Sequence, residues 1–198
     1  MVPTGRTHKE GGPSSADSSR QYPQLYRSPI ALPEGCSGKT RVQHHVHAAG
    51  EELPIVGVRQ GLLCRQRPVM VRLQAPLSVH VLSDDDAGVW MTDLPEELNQ
   101  IAEGLWTFNP QGRCLVGGLG LGIMAKALTA RAGVTDVVVV EMNPDVIKLC
   151  ADGGYTVVQQ DVREYLRQTD ERFDCYLLDT WQGTSEGTWW DEVLPLRR

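Results

Sequence analysis

The stretch "CLVGGLGLGIMAKAL", Cys114 to Leu128, sets four glycines within six positions, between an apolar run and a helix-like run. Glycine alone takes positive φ freely and lets another group approach the bare backbone, so the question is what this turn accommodates. Gly117, Gly118, Gly120 and Gly122 follow a strand-like segment and open a helical one. A tight strand-to-helix connection accounts for such a turn in isolation. Here Glu141 closes the next strand-like run, "DVVVVE", roughly twenty residues on, where a carboxylate can accept the two hydroxyls of a ribose.

The flanking pattern supplies the fold class. Strand-like "GRCLVGG", "DVVVVE", "YTVVQQ" and "FDCYLLD" alternate with helix-like "IMAKALTARAG", "NPDVIKLCADGG" and "DVREYLRQ". That alternation is the mark of a parallel sheet built from βαβ units, an α/β fold. Asn143 can cap the second of these helices with Pro144 at its first position, and Gly133 and Gly153 stand where helices should end.

Upstream the chain changes character. "TRVQHHVHA", "ELPIVGVRQ", "PVMVRL", "LSVHVLSDD" and "GVWMTD" alternate at short range between turn-rich clusters, which predicts a small antiparallel β unit, with "SDDDAG" as a hairpin connection. "LPEELNQIAEGLWTF" predicts a helix from Pro95. The expected organisation is a flexible tail over 1–35, poor in apolar residues, a β unit over 36–94, and a Rossmann-like nucleotide-binding domain over 95–198.

Glycine spacing separates the candidate nucleotides. A dinucleotide turn reads G-x-G-x-x-G, but counting from Gly118 places Ile123 at the third glycine, which makes an NAD-linked oxidoreductase a distant third reading. The spacing present, G-x-G-x-G, resembles motif I of the class I S-adenosylmethionine-dependent methyltransferases. That resemblance implies Gly118, Gly120, Gly122 and Glu141 as cofactor-binding, with Glu141 on the ribose. It also implies Asp161 of "VVQQDVREYL" near the adenine amino group and Asp179 of "FDCYLLDT" facing the reacting centre, as the catalytic residue.

The succession of motifs over roughly Ser83 to Thr184, with apolar Val116 before the glycines, is most similar to the spermidine synthase group of aminopropyltransferases. The resemblance implies a methyl or aminopropyl transferase that uses S-adenosylmethionine, or its decarboxylated relative, on a small amine-bearing acceptor. An amine must lose its proton before it attacks, and Asp179 is the group placed to accept or position that proton. Each acid also has a plainer reading: Glu141 as an ion-paired or solvated acid, Asp161 as a helix cap, Asp179 as a solvated strand end.

The chain departs from that group in three places. Gln182 stands where a second acid would follow Asp179, and no Tyr-His pair occurs in "EELNQIAEGL". Only nineteen residues follow Asp179, so the expected fold is C-terminally shortened relative to the seven strands that the resemblance implies. An open fourth strand invites association, which predicts a homodimer or another partner on that edge. The competing reading is a non-catalytic nucleotide-binding or scaffold protein that keeps a partial methyltransferase fold.

Composition narrows the partners. A net charge of -6 argues against a nucleic-acid or anionic-membrane binder. No apolar run approaches the ~20 residues of a spanning helix, and the polar N-terminus lacks a signal-peptide core, so the reading is cytoplasmic. Five scattered cysteines without C-x-x-C spacing predict neither a disulfide framework nor a zinc site. His44, His45 and His47 of "HHVH" lack companion ligands at a recognisable spacing, so no metal is expected. "EGCSGKT" ends like a phosphate-binding loop but has Pro33 in place of its first glycine, and is expected to be a linker. Trp181, Trp189 and Trp190 could roof a substrate or cover the sheet edge.

Overall fold

The structure, a computed structural model, describes residues 28–55 and 69–180. Residues 1–27 of the expected tail, Cys64, Gln182 and the three tryptophans lie outside the described residues. Strands β1 (Gly35–Ser37), β2 (Thr40–His47), β5 (Leu77–Asp84) and β6 (Gly88–Thr92) form one antiparallel sheet in the order β1-β2-β5-β6. β3 (Glu52–Ile55) and β4 (Val69–Arg72) pair separately as an antiparallel ribbon. Helix α1 (Pro95–Phe108) then leads into a parallel sheet of β7 (Gly112–Gly117), β8 (Val134–Glu141), β9 (Thr156–Gln159) and β10 (Cys175–Leu178). Its order is β10-β7-β8-β9, and α2 (Ile123–Thr129), α3 (Pro144–Cys150) and α4 (Val162–Gln168) connect the strands.

Alternation along β7 and β8 explains why this sheet sits between two apolar layers. Cys114, Val116, Val137 and Val139 face one core, with Leu98, Ile101 and Leu105 of α1 and with Leu121, Ile123 and Leu128. Leu115, Val138 and Val140 face the other, with Val162 and Tyr165 of α4. A strand buried on both faces needs an unbroken apolar run, which "VVVV" of β8 supplies. The first core also takes in Ile30, Leu32, Val42 and Leu82 from the antiparallel unit, so the two units share one interior.

Local signals act as their chemistry requires. The Asn143 side chain accepts the Asp145 N–H at 2.9 Å and starts α3, with Pro144 at its first position. Asp84 Oδ1 accepts from Asp86 N and Ala87 N, closing the β5–β6 hairpin within "SDDDAG".

Two expectations need correction. "EGCSGKT" is a β1–β2 hairpin, turned at Gly38 with φ 53°, and not a linker. The expected tail also ends too late, because Ile30 and Leu32 are buried. The backbone of Leu32 is held by two histidines: His44 Nε2 donates to its carbonyl at 2.8 Å, and its N–H donates to His80 Nε2 at 3.3 Å. Buried Asp93 fixes His80 in turn, 2.7 Å from Nδ1 and 2.6 Å from the His80 amide nitrogen. The remaining histidines of "HHVH" are likewise engaged: the His45 and His47 rings meet edge to face at 4.6 Å, and His47 Nδ1 lies 3.1 Å from Glu51. No helix among the described residues is long and apolar enough to cross a membrane.

Candidate functional site

The order β10-β7-β8-β9 reverses direction between β7 and β10, since the chain runs outward through β8 and β9 and then returns to the far side of β7. In open parallel sheets a ligand crevice opens at the carboxyl ends of the strands flanking such a reversal. The glycine turn leaves β7 at that point, and Asp179 leaves β10 beside it, its N–H donating to the Gly117 carbonyl at 2.9 Å.

Each glycine of the turn has a separate reason to lack a side chain. Gly118, Gly120 and Gly122 take φ of 92°, 51° and 80°, the left-handed region. A Cβ on Gly118 would overlap the Asp179 carbonyl oxygen. One on Gly120 would sit 2.5 Å from Met91 Sδ, and one on Gly122 3.0 Å from the Tyr155 hydroxyl. Two of these contacts are with backbone or thioether that closes on the turn, so part of the glycine requirement is internal packing.

Glu141 holds the turn in place. Its Oε2 accepts the Leu119 N–H at 2.8 Å and its Oε1 the Asn143 N–H at 2.7 Å. The half-buried carboxylate therefore links the glycine turn to the start of α3, and it points at the corner that the sequence implied. An ionised carboxylate offers about four acceptor positions, so two bonds leave capacity for ribose hydroxyls. Met142, the next residue, presents an apolar side chain that is 67% exposed beside this carboxylate.

Asp161 is the N-cap of α4, its Oδ1 accepting from Arg163 N at 2.8 Å and Glu164 N at 3.1 Å. It follows Gln160, whose N–H donates to the Glu141 carbonyl at 3.1 Å, so Asp161 stands at the carboxyl end of β9 next to that of β8. Asp179 is reached by solvent, yet the protein packed around it partly desolvates its carboxylate and raises its pKa from the ordinary aspartate value.

The structure adds two groups that sequence reasoning missed. Met91 of β6 reaches across from the antiparallel unit, and its Sδ accepts the Leu121 N–H at 3.3 Å. Glu97, in the first turn of α1, accepts the Thr92 N–H at 2.9 Å and hydroxyl at 3.0 Å on Oε2. Burial pushes the Glu97 carboxyl up to about 6; the Thr92 bonds oppose this, and the negative charges of Asp179 and Asp93 add to it. The charge of Asp179 thus reaches Glu97, whereas the shift of Asp179 itself comes from burial. No local pattern could have signalled it, because nothing in "PEEL" distinguishes Glu97 from Glu96. Among the described residues no group of three or more His, Cys, Asp or Glu side chains is arranged to hold a metal ion.

These features define a Rossmann-like α/β fold: a parallel sheet with helices, a glycine turn at the strand-order reversal, and a separate antiparallel sheet ahead of it. Neither a protein-family model nor a curated protein matches the chain. Among solved structures it is similar to spermidine synthase from Thermotoga maritima, at 16% identity and a TM-score of 0.35, over 61% of this chain and 52% of that one. It is also similar to a spermidine synthase solved in complex with the transition state analogue AdoDATO, at 14% identity and a TM-score of 0.31, over 58% of this chain and 51% of that one. The chain thus spans about half the length of these two structures.

Proposed function

We propose that the chain is a transferase that binds S-adenosylmethionine or its decarboxylated relative at the glycine turn and delivers a methyl or aminopropyl group to a small amine. The observation that carries this reading is the Glu141 carboxylate, bonded to the Leu119 N–H and so fixed against a bare backbone corner at the strand-order reversal. The residues fit such a donor. Left-handed glycines keep the corner clear of side chains, Glu141 retains acceptor capacity for the sugar, exposed Met142 offers an apolar surface for the base, and Asp161 marks the end of the neighbouring strand.

When bound, the sulfonium supplies an electrophilic carbon and a good leaving group. The protein's part is then orientation and water exclusion, which is where most of the rate of an in-line displacement arises. Glu97 and Asp179 would meet the acceptor. Two carboxylates favour a cationic ammonium on arrival, and a pKa raised by burial suits each to accept the proton that the amine must shed before attack.

Incubation with donor labelled in the transferable group and a panel of small amines tests the reading. Labelled amine is the expected product. Thermal stabilisation by the donor without product would favour the non-catalytic nucleotide binder instead, and no stabilisation at all would remove the site. The same reading places a second copy on the outer edge of β10, which pairs only with β7 among the described residues and carries the 47% exposed Tyr176. A strictly monomeric species in light scattering would refute that association.

A further inference from the structure

Strands β7 and β10 run in parallel, and their register sets Cys114 directly opposite Cys175. Both side chains face the same core, beside Val116 and Leu177. Cys114 is fully buried and Cys175 half-buried; both are free thiols, and the Cys114 thiol donates to the Gln111 and Gly112 carbonyls at 3.9 Å. The other described cysteines have no cysteine opposite: Cys36 is paired in register with Arg41, and Cys150 is buried at the end of α3.

We propose that Cys114 and Cys175 are a reversible oxidation site, whose disulfide staples the outer strand β10 to β7 beneath the candidate site. Adjacent strands lie about 4.8 Å apart, inside the Cα separation of about 4.4–6.8 Å that a disulfide spans. Two side chains on the same face at one register position therefore need little backbone movement to join. The inference does not depend on the transferase reading.

The chemistry is thiol–disulfide exchange with a small disulfide, RSSR, as oxidant. The Cys175 thiolate attacks one sulfur, forming the mixed disulfide Cys175–S–SR and releasing RS⁻. The Cys114 thiolate then attacks the Cys175 sulfur and releases the second RS⁻. Two cysteines lose two protons and two electrons in total, and RSSR is reduced to two RSH. Burial pushes Cys114 up to about 11 and raises Cys175 as well, so both stay protonated at neutral pH and exchange is slow in the closed sheet. Entry is through opening of β10, a four-residue strand with one neighbour among the described residues. The consequence reaches the site because Asp179, four residues past Cys175, bonds Gly117 and packs its carbonyl on Gly118.

The test uses the full chain carrying Cys36→Ser and Cys64→Ser, equilibrated at pH 8 in glutathione buffers of rising oxidised fraction. Peptide mass spectrometry should find the 114–175 cross-link, reversed by reductant, and either Cys114→Ser or Cys175→Ser should abolish it. Hydrogen exchange at Tyr176 to Leu178 should slow about tenfold or more in the linked form. The proposal is overturned if both thiols remain alkylatable after unfolding at every buffer ratio, or if linkage forms only in denaturant. It is equally overturned if the linked protein exchanges β10 amides as fast as the reduced one. The cross-link and exchange readouts need only the Cys36→Ser, Cys64→Ser protein, so a poorly folding Cys114→Ser or Cys175→Ser variant leaves the test intact.

Discussion

Replacing Glu97 with Gln removes a charge that the fold holds in an unfavourable place, and the structure sets the size of the effect. Burial raises the Glu97 carboxyl from an ordinary 4.5 to about 6, with the Asp179 and Asp93 charges adding to the shift. The folded state therefore binds this proton more tightly than the unfolded chain does. Stability from protonated Glu97 is fully present below about pH 4.5 and is lost as the pH rises through about 6. At about 1.36 kcal/mol per pH unit, that gap amounts to about 2 kcal/mol. Gln keeps an amide oxygen for the Thr92 N–H and hydroxyl, so the local bonds survive while the charge goes. Urea unfolding at pH 7.5 should then show Glu97→Gln more stable than the wild type by about 1–2 kcal/mol, the two converging near pH 4.5. A variant equal to or less stable than the wild type at pH 7.5, or a pH slope identical in the two proteins, would refute the reasoning. If Glu97 receives the amine, the same variant should raise KM for the acceptor about tenfold while its Tm rises, a trade of stability against function.

Three further perturbations separate the roles of the remaining site residues. Glu141→Ala removes the acceptor of both the Leu119 and Asn143 amides and should cost about 2–3 kcal/mol, while calorimetric affinity for S-adenosylmethionine drops about tenfold or more; lost stability with unchanged affinity would make the carboxylate an internal tie only. Gly118→Ala should destabilise by more than about 3 kcal/mol, because its Cβ meets the rigid Asp179 carbonyl. Gly153→Ala, at φ 85° in open space, should lose only about 1–2 kcal/mol; comparable losses in denaturant titrations would sink this packing account. Asp161→Ala strips the cap from α4 and should cost about 1 kcal/mol, whereas Asp161→Asn should restore most of it, and a donor affinity equal in all three proteins would assign Asp161 to capping alone.

The features legible in the chain were those decided within a few residues. Asn143 with Pro144, Asp84 in its hairpin and the alternation through β7 and β8 each act on near neighbours, so local sequence carries the information. The four-strand βαβ pattern was legible for the same reason, since each strand and helix announces its own period. The β1–β2 hairpin in "EGCSGKT" is not legible from alternation because β1 is only three residues long, too short to show a strand period. The place of Leu32 is not legible locally, because the two histidines that clasp its backbone come from β2 and β5.

The sequence by itself determined that a bare glycine corner would follow one strand and that acids would close the next three, because strand ends and φ preferences are local properties. Only the tertiary structure decided what those groups meet. It set Glu141 on the Leu119 amide, Met91 over Gly120, Glu97 within range of Asp179, and Cys114 opposite Cys175. Charge repulsion, thiol pairing and backbone overlap act over a few ångströms in space, and the packing of two sheets around one core brings those distances about.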